Sequence, residues 1–212
     1  MKKLLSLLIL LSFNIKAQMT VVVADEKLFF PDVTIGTQTW TSINLHVTKY
    51  RNGDKIPQVQ DAKAWAKLKT GAWCYYENKK ENGTKYGKLY NWFAVNDKRG
   101  LAPKGYHIPS EAEWKILTES LGGKSQAGTE MKSKYGWKNN GNGTNTSSFA
   151  GLPGGERLNI YFVDVGAKGS WWSSSEAYTG AADYFYLDAK NGNLGSSVFF
   201  LQTGFSVRCI KD

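Results

Sequence analysis

Histidine and cysteine are scarce: two of each in 212 residues. That excludes a Cys-rich zinc module and most His-based metal clusters, which need three or four such ligands at fixed spacings. His46 and His107 stand in no triad pattern, and no His-Glu-x-x-His, Gly-x-Ser-x-Gly or phosphate-loop sequence occurs. Only five prolines are present, and only four of the 27 basic residues are Arg: Arg51, Arg99, Arg157 and Arg208. Readers of nucleic acid favour Arg for bidentate contacts and gather their charge on one face. Here the Lys are scattered from Lys27 to Lys211, which reads as a solvated Lys-rich surface with weak attraction to anionic cell-surface polymers, and no nucleic-acid partner. No fixed-period repeat is found, and no stretch after the first residues is apolar enough to span a membrane.

The first residues carry the one long apolar run. Met1-Lys2-Lys3 precedes Leu4 to Phe13, and Ala17 closes the segment. A basic start, about ten apolar residues and a small residue at the end make a secretory signal, too short for a transmembrane helix. The expected destination is secreted, periplasmic or cell-surface. Cleavage after Ala17 removes Lys2, Lys3 and Lys16, so a formal charge of +9 becomes +6, 24 basic residues against 18 acidic. Cys74 and Cys209 are then the only thiols of a chain bound for an oxidising compartment, and a disulfide between them is expected, with two buried inert thiols as the alternative.

Aromatic residues are abundant: 8 Trp, 11 Tyr and 10 Phe. With that much apolar surface to bury, the mature chain reads as a packed, loop-rich domain over 32–212, preceded by an N-terminal segment 18–31 in which Thr20 to Val23 is an edge strand or linker. Val33 to Trp40 has the form strand, Gly-containing turn, strand. Asp61 to Lys69 presents Ala62, Trp65, Ala66 and Leu68 on one helical face, with Asp61 as N-cap. Ala72 to Tyr76 reads as strand, and Leu89 to Val95 as a short helix or turn. Ser110-Glu111-Ala112-Glu113 is a capping box ahead of Trp114, Leu117 and Leu121. Asn139 to Ser148 is a polar surface loop. Tyr184 to Ala189 alternates as a strand, Asn191-Gly192 signals a hairpin turn, and Ser197–Leu201 and Phe205–Ile210 complete an antiparallel sheet.

Eight segments in this order carry a family resemblance: Thr34 to Trp40, Lys49 to Asp54, Tyr86 to Trp92, Pro103 to Ser110, Glu111 to Trp114, Leu152 to Gly155, Trp171 to Glu176 and Gly204 to Cys209. The succession resembles the Fibrobacter succinogenes major paralogous domain of exported bacterial proteins, over about residues 32–211. The Pro-Ser-Glu-Ala-Glu-Trp and Gly-Phe-Ser-Val-Arg-Cys segments are also similar to formylglycine-generating-enzyme-like domains. The resemblance implies an α+β, C-type-lectin-like fold: a small twisted antiparallel sheet with flanking helices and long structured loops. That enzyme works through a pair of active cysteines, and Cys74 and Cys209 stand at unrelated spacing, so its activity does not carry over. Some members of the family place a Cys where Ala102 stands, so no family disulfide pattern transfers.

With no catalytic motif, the chain is read as a binding module and not an enzyme. Its expected ligand is a glycan or a cell-surface protein, held by aromatic and Asn-rich loops of the 134–176 region. Trp137, Tyr161 and Trp172 are the candidate stacking faces; a core role is the equal alternative for Trp137 and the stronger reading for Trp171-Trp172, since neighbours on a strand point to opposite sides. Asn139, Asn142, Arg157, Asp164 and Glu176 are the candidate polar groups. Calcium is the one cofactor left open, with Asp164, Glu176, Asp183 and Asp188 as candidate oxygens. The other readings are a structural component of an extracellular assembly with no small ligand, and a divergent hydrolase.

Overall fold

The computed structural model describes residues 31–212. The apolar leader over 1–17 and the Thr20 to Val23 segment lie outside the described residues.

The chain opens on the expected hairpin, β1 (Asp32–Ile35) and β2 (Gln38–Thr41), paired antiparallel around Gly36. Helix α1 (Ala62–Ala66) is shorter than the apolar spacing suggests; Asp61 caps it, its carboxylate accepting from Ala64 N at 2.7 Å. Strand β3 (Trp73–Cys74) leads into a 3-10 turn at Tyr76–Asn78 and helix α2 (Lys80–Tyr86), then β4 (Leu89–Tyr90) returns antiparallel to β3. The aromatic stretch that follows is the single turn α3 (Trp92–Val95). After β5 (Tyr106–His107) comes α4 (Glu111–Ser120), where both bonds of the capping box form: Glu113 N to Ser110 Oγ at 3.3 Å and Ser110 N to Glu113 Oε2 at 2.8 Å. Helix α5 (Lys124–Met131) and the hairpin β6 (Glu156–Leu158) and β7 (Tyr161–Val163) precede the long strands β8 (Lys168–Tyr178), β9 (Ala181–Asp188) and β10 (Leu194–Phe200). The short β11 (Ile210–Lys211) ends the chain between β2 and β5, giving sheet order β1-β2-β11-β5 beside β10-β9-β8. The protein is thus a mixed α/β chain of small antiparallel sheets. No helix among the described residues is long and apolar enough to cross a membrane.

Period-two alternation makes the β8–β9 pair a wall with a core on each side. Trp171 faces Phe185 across the ladder, and both enter a core with Trp114 and Leu117 of α4, Leu121 just after it, and Met131 of α5. Trp114 stacks on Phe185 with centroids 4.8 Å apart. Trp172 faces Tyr184, and both enter the opposite core with Tyr90, Phe205 and Val207. Both tryptophans of the pair are therefore structural.

The Phe205–Ile210 strand expected from the sequence is a stitch between sheets instead. Phe205 exchanges both backbone bonds with Tyr90 (2.8 and 3.1 Å), Gly204 with Arg157 (3.0 and 2.9 Å), and Ser206 bonds to Ser170 and Trp172 (3.0 and 3.1 Å). Val207 and Cys209 carbonyls accept from Leu45 and Thr41 at 2.8 and 2.9 Å. One extended segment closes four others, and only Ile210–Lys211 is left to pair as a strand.

Cys74 and Cys209 are both free and buried, so the expected disulfide does not form. Cys74 packs with Trp65, Ala72 and Leu89, whereas Cys209 belongs to the core of Trp172 and Phe205. Burial pushes the Cys74 thiol up to about 11 and the Cys209 thiol up to about 12, so neither is thiolate at neutral pH.

Candidate functional site

The sequence candidates separate by burial. Trp172 is fully buried, its indole N–H donating to the Tyr90 carbonyl at 2.9 Å. Arg157 is fully buried too; it donates to the carbonyls of Val59, Gln60 and Asp61 and lies over Trp65 and Phe162. Trp137 is buried as an anchor of its own loop, its indole bonded to Ser133 and Gly151 at 3.1 Å each. None of these three presents a face to a ligand, which corrects the expectation for them.

The Asn-rich loop has a conformational explanation. Asn139, Asn140 and Asn145 have positive φ, the left-handed region that Asn tolerates best after Gly. The Asn142 side-chain oxygen accepts from Trp137 N at 3.0 Å, and that of Asn145 from Ala150 N at 2.8 Å, so both carboxamides close turns. Lys138 N donates to Gly166 O at 2.7 Å, which brings this loop against the turn that holds Asp164. Tyr161 is 65% exposed, on the edge hairpin. Glu176 is exposed near the other end of β8, eight residues beyond Lys168 and so about 26 Å along an extended strand. Among the described residues no group of three His, Cys, Asp or Glu gathers, so Asp164, Glu176, Asp183 and Asp188 are not brought together as one carboxylate cluster.

A different feature is built as a site. A groove of about 410 Å³ runs between the segment after β2, helix α2 with the Gly87-Lys88 link to β4, and the loop before β6. Asn44, His46, Tyr75, Tyr86, Lys88 and Arg208 line its inner part, and Lys80, Lys85 and Tyr135 its rim. Two close approaches shape it. A Cβ at Gly83 would stand 2.1 Å from the Tyr75 ring, so helix α2 lies directly on that ring. Gly87 has φ 79 and lets the chain turn against Asn44, where a Cβ would meet the Asn44 Cβ at 2.9 Å.

Asn44 is the hub of the floor. Its Nδ2 donates to the Tyr86 carbonyl (2.8 Å) and Ser206 Oγ (3.2 Å), and its Oδ1 accepts from Trp171 Nε1 (2.8 Å) and Arg208 Nε (2.7 Å). A buried amide with every polar atom used holds one orientation. Arg208 then gives its other N–H groups to the carbonyls of Thr41, Phe149 and Ala150. Burial lowers its pKa, and the ring of four oxygen acceptors keeps the guanidinium charged.

Lys88 is 5% exposed. Its Nζ donates to the His46 carbonyl and stands 4.7 Å from the Trp73 ring centroid and 5.3 Å from that of Tyr75. Burial pulls its pKa down to about 8. No carboxylate forms an ion pair with Lys88 or Arg208 among the described residues. Among the described residues no Asp or Glu lines the groove.

The 134–176 region does supply part of this wall, through Tyr135, Ala150 and Leu152, but none of the residues singled out within it. Asn44, Lys88, Tyr135 and Arg208 were missed. The signal for two of them was available: Lys88 and Arg208 are the charged positions inside the apolar segments Tyr86 to Trp92 and Phe205 to Ile210. A charge in such a run is placed by a partner that the sequence does not show.

Comparison with curated proteins finds no match, and comparison with solved structures finds none either. The profile of the Fibrobacter succinogenes major domain matches residues 33–211, from within β1 to the end of β11. By that match, across the same ordered motifs that build the hairpins, the capped helix, the groove edge and the closing stitch, the chain belongs to the Fibrobacter succinogenes major domain family.

Proposed function

We propose that this protein is an exported recognition module that binds glycan in the groove between Asn44, helix α2 and Tyr135. The observation that carries this reading is the groove's rigid floor: a fully satisfied Asn44–Arg208 network beneath exposed polar and aromatic groups. Tyr135, 65% exposed at the rim, offers a ring face, and Lys80, Thr84 and Lys85 offer donors around it. A pre-formed cleft with few placed polar groups is the usual form of a small-ligand site. A groove with no Asp or Glu among the described residues that line it supports binding over glycoside hydrolysis, which needs paired carboxylates. Export rests on the apolar leader. The C-type-lectin-like reading of the scaffold is supported by the pairing of the first strands with the last, β1-β2-β11, around helices and long loops.

A glycan array with the mature 18–212 chain, run with and without calcium, tests this. Binding that Tyr135→Ala abolishes and Tyr161→Ala leaves intact supports the groove; the reverse pattern moves the site to the edge hairpin.

One observation favours assembly with another protein chain. Tyr178 (63% exposed) and Phe200 (62% exposed) both stand opposite Ala181, at one end of the β8–β9–β10 sheet. Large rings exposed together form an apolar patch suited to an interface. Concentration-dependent mass by light scattering, lost in Tyr178→Ser/Phe200→Ser, would support that role.

A further inference from the structure

We infer that the ligand of this groove is an anionic saccharide, a polymer of acidic sugars whose carboxylates sit against Lys80, Lys85 and Lys88. The inference rests on the recognition reading above and specifies its substrate class. Among the described residues every charged side chain on the groove wall, Lys80, Lys85, Lys88 and Arg208, is cationic. Five cations elsewhere do have carboxylate partners: Lys79 with Glu77, Arg99 with Asp54 and Asp97, Lys115 with Glu111, Lys168 with Glu156, and Lys211 with Asp32. What sets the groove apart is that one of its unpaired cations, Lys88, is buried.

The two inner cations differ in what remains to be satisfied. Arg208 is locked among Asn44 and three carbonyls and serves the floor. Lys88 has three N–H donors; one goes to the His46 carbonyl, and two rings stand beside the ammonium. A ligand carboxylate entering here gives a desolvated ammonium the counter-charge that no described residue supplies, and a charge-assisted bond in a low-dielectric cleft is stronger than one at the surface. Lys80 and Lys85 flank the same entrance from α2, so successive acidic sugars of one strand meet successive cations. Tyr135 supplies a ring for the apolar face of a sugar, which phosphate or a simple carboxylic acid would not use.

The test is affinity electrophoresis and calorimetry of the mature chain with polygalacturonate, its carboxyl-reduced form, dextran and dextran sulfate. The expected result is binding to polygalacturonate, weakened by about tenfold or more in Lys80→Gln/Lys85→Gln, whereas Lys63→Gln/Lys67→Gln on exposed α1 changes it less than about twofold. Carboxyl reduction of the polymer should cost the same order. Lys88→Met tests the inner position, and the exposed rim pair keeps the test valid if that buried variant fails to fold. Dextran sulfate binding with the same dependence on Lys80 and Lys85 upholds the anionic class and assigns sulfate as the source. Equal loss in the α1 control pair overturns the inference, because it reduces the effect to net charge. Equal binding to the carboxyl-reduced polymer or dextran overturns it while the recognition reading stands. Failure to bind any saccharide overturns both.

Discussion

Arg208 Nε donates to Asn44 Oδ1 at 2.7 Å, joining a residue just after the first hairpin to one just before the last strand. Both are buried, and through them the floor of the groove is tied to Tyr86, Trp171 and Ser206. Asn44→Leu should destabilise by about 2–4 kcal/mol, since it leaves the buried Arg208 Nε–H and the Trp171 indole N–H without their acceptor. Chemical denaturation measures this. Asn44→Gln, which keeps the amide chemistry and loses the geometry, should unfold more easily than wild type and lose ligand binding.

His107 sits between two carboxylates, with Nε2 2.7 Å from Glu113 Oε1 and Nδ1 2.8 Å from Asp212 Oδ1. Burial opposes its charge, but the bonds to Asp212 and Glu113 outweigh that and raise its pKa above 6.5. Burial likewise opposes ionisation of Glu113, and the Ser110 backbone and hydroxyl together with His107 outweigh it and lower its pKa below 4.5. The signs give opposite dependences. The His107 contribution is fully present below the unfolded pKa and is lost as pH rises through the raised folded value. The Glu113 contribution is present above its unfolded pKa and is lost as pH falls through the lowered value. Thermal melts should therefore show a stability step on the alkaline side of 6.5 that His107→Gln removes, with about 1 kcal/mol or less involved for a half-exposed pair. An unchanged pH profile in that variant would contradict the assignment.

The cysteines should behave as two inert thiols. Without reductant, a thiol reagent should find both Cys74 and Cys209 in denaturant and react slowly with the native protein, because burial pushes both pKa values upward. Protein purified from an oxidising compartment that shows no thiol in denaturant would contradict this.

Trp137→Ala and Trp172→Ala should each cost about 3–5 kcal/mol, the range for emptying a large buried site. Tyr161→Ala, at an exposed edge position, should fall within about 0.5 kcal/mol of wild type. Circular dichroism melts separate the groups. If Trp137→Ala were as stable as wild type and lost ligand, the ring would be a binding face after all.

Local features of this fold were legible. The Gly36 hairpin, the Asp61 cap and the Ser110–Glu113 box depend on residues within a few positions of one another, and each formed as read. The alternation that sends Trp171 and Trp172 to opposite sides was readable too, though not that both sides are core. Non-local pairing was not. Phe205–Ile210 has strand composition, but its partners lie in four separate segments, so it stitches instead of laddering. Cys74 and Cys209 are apart because β3 and the stitch bury them in different cores. Trp137 looked like a loop aromatic because its anchors, the Ser133 hydroxyl and the Gly151 carbonyl, are brought under it only by folding. The groove escaped for the same reason: Asn44, Lys88 and Arg208 are distant in sequence, and only the fold assembles them.

The most direct test of the central claim is a residue-resolved map of where the ligand sits. Amide NMR spectra of the isotope-labelled mature chain, titrated with short acidic oligogalacturonides, should show shifts concentrated at 42–46, 80–88, 135 and 150–152. Shifts centred on 139–142 and 161–164, with the groove unperturbed, would contradict the account.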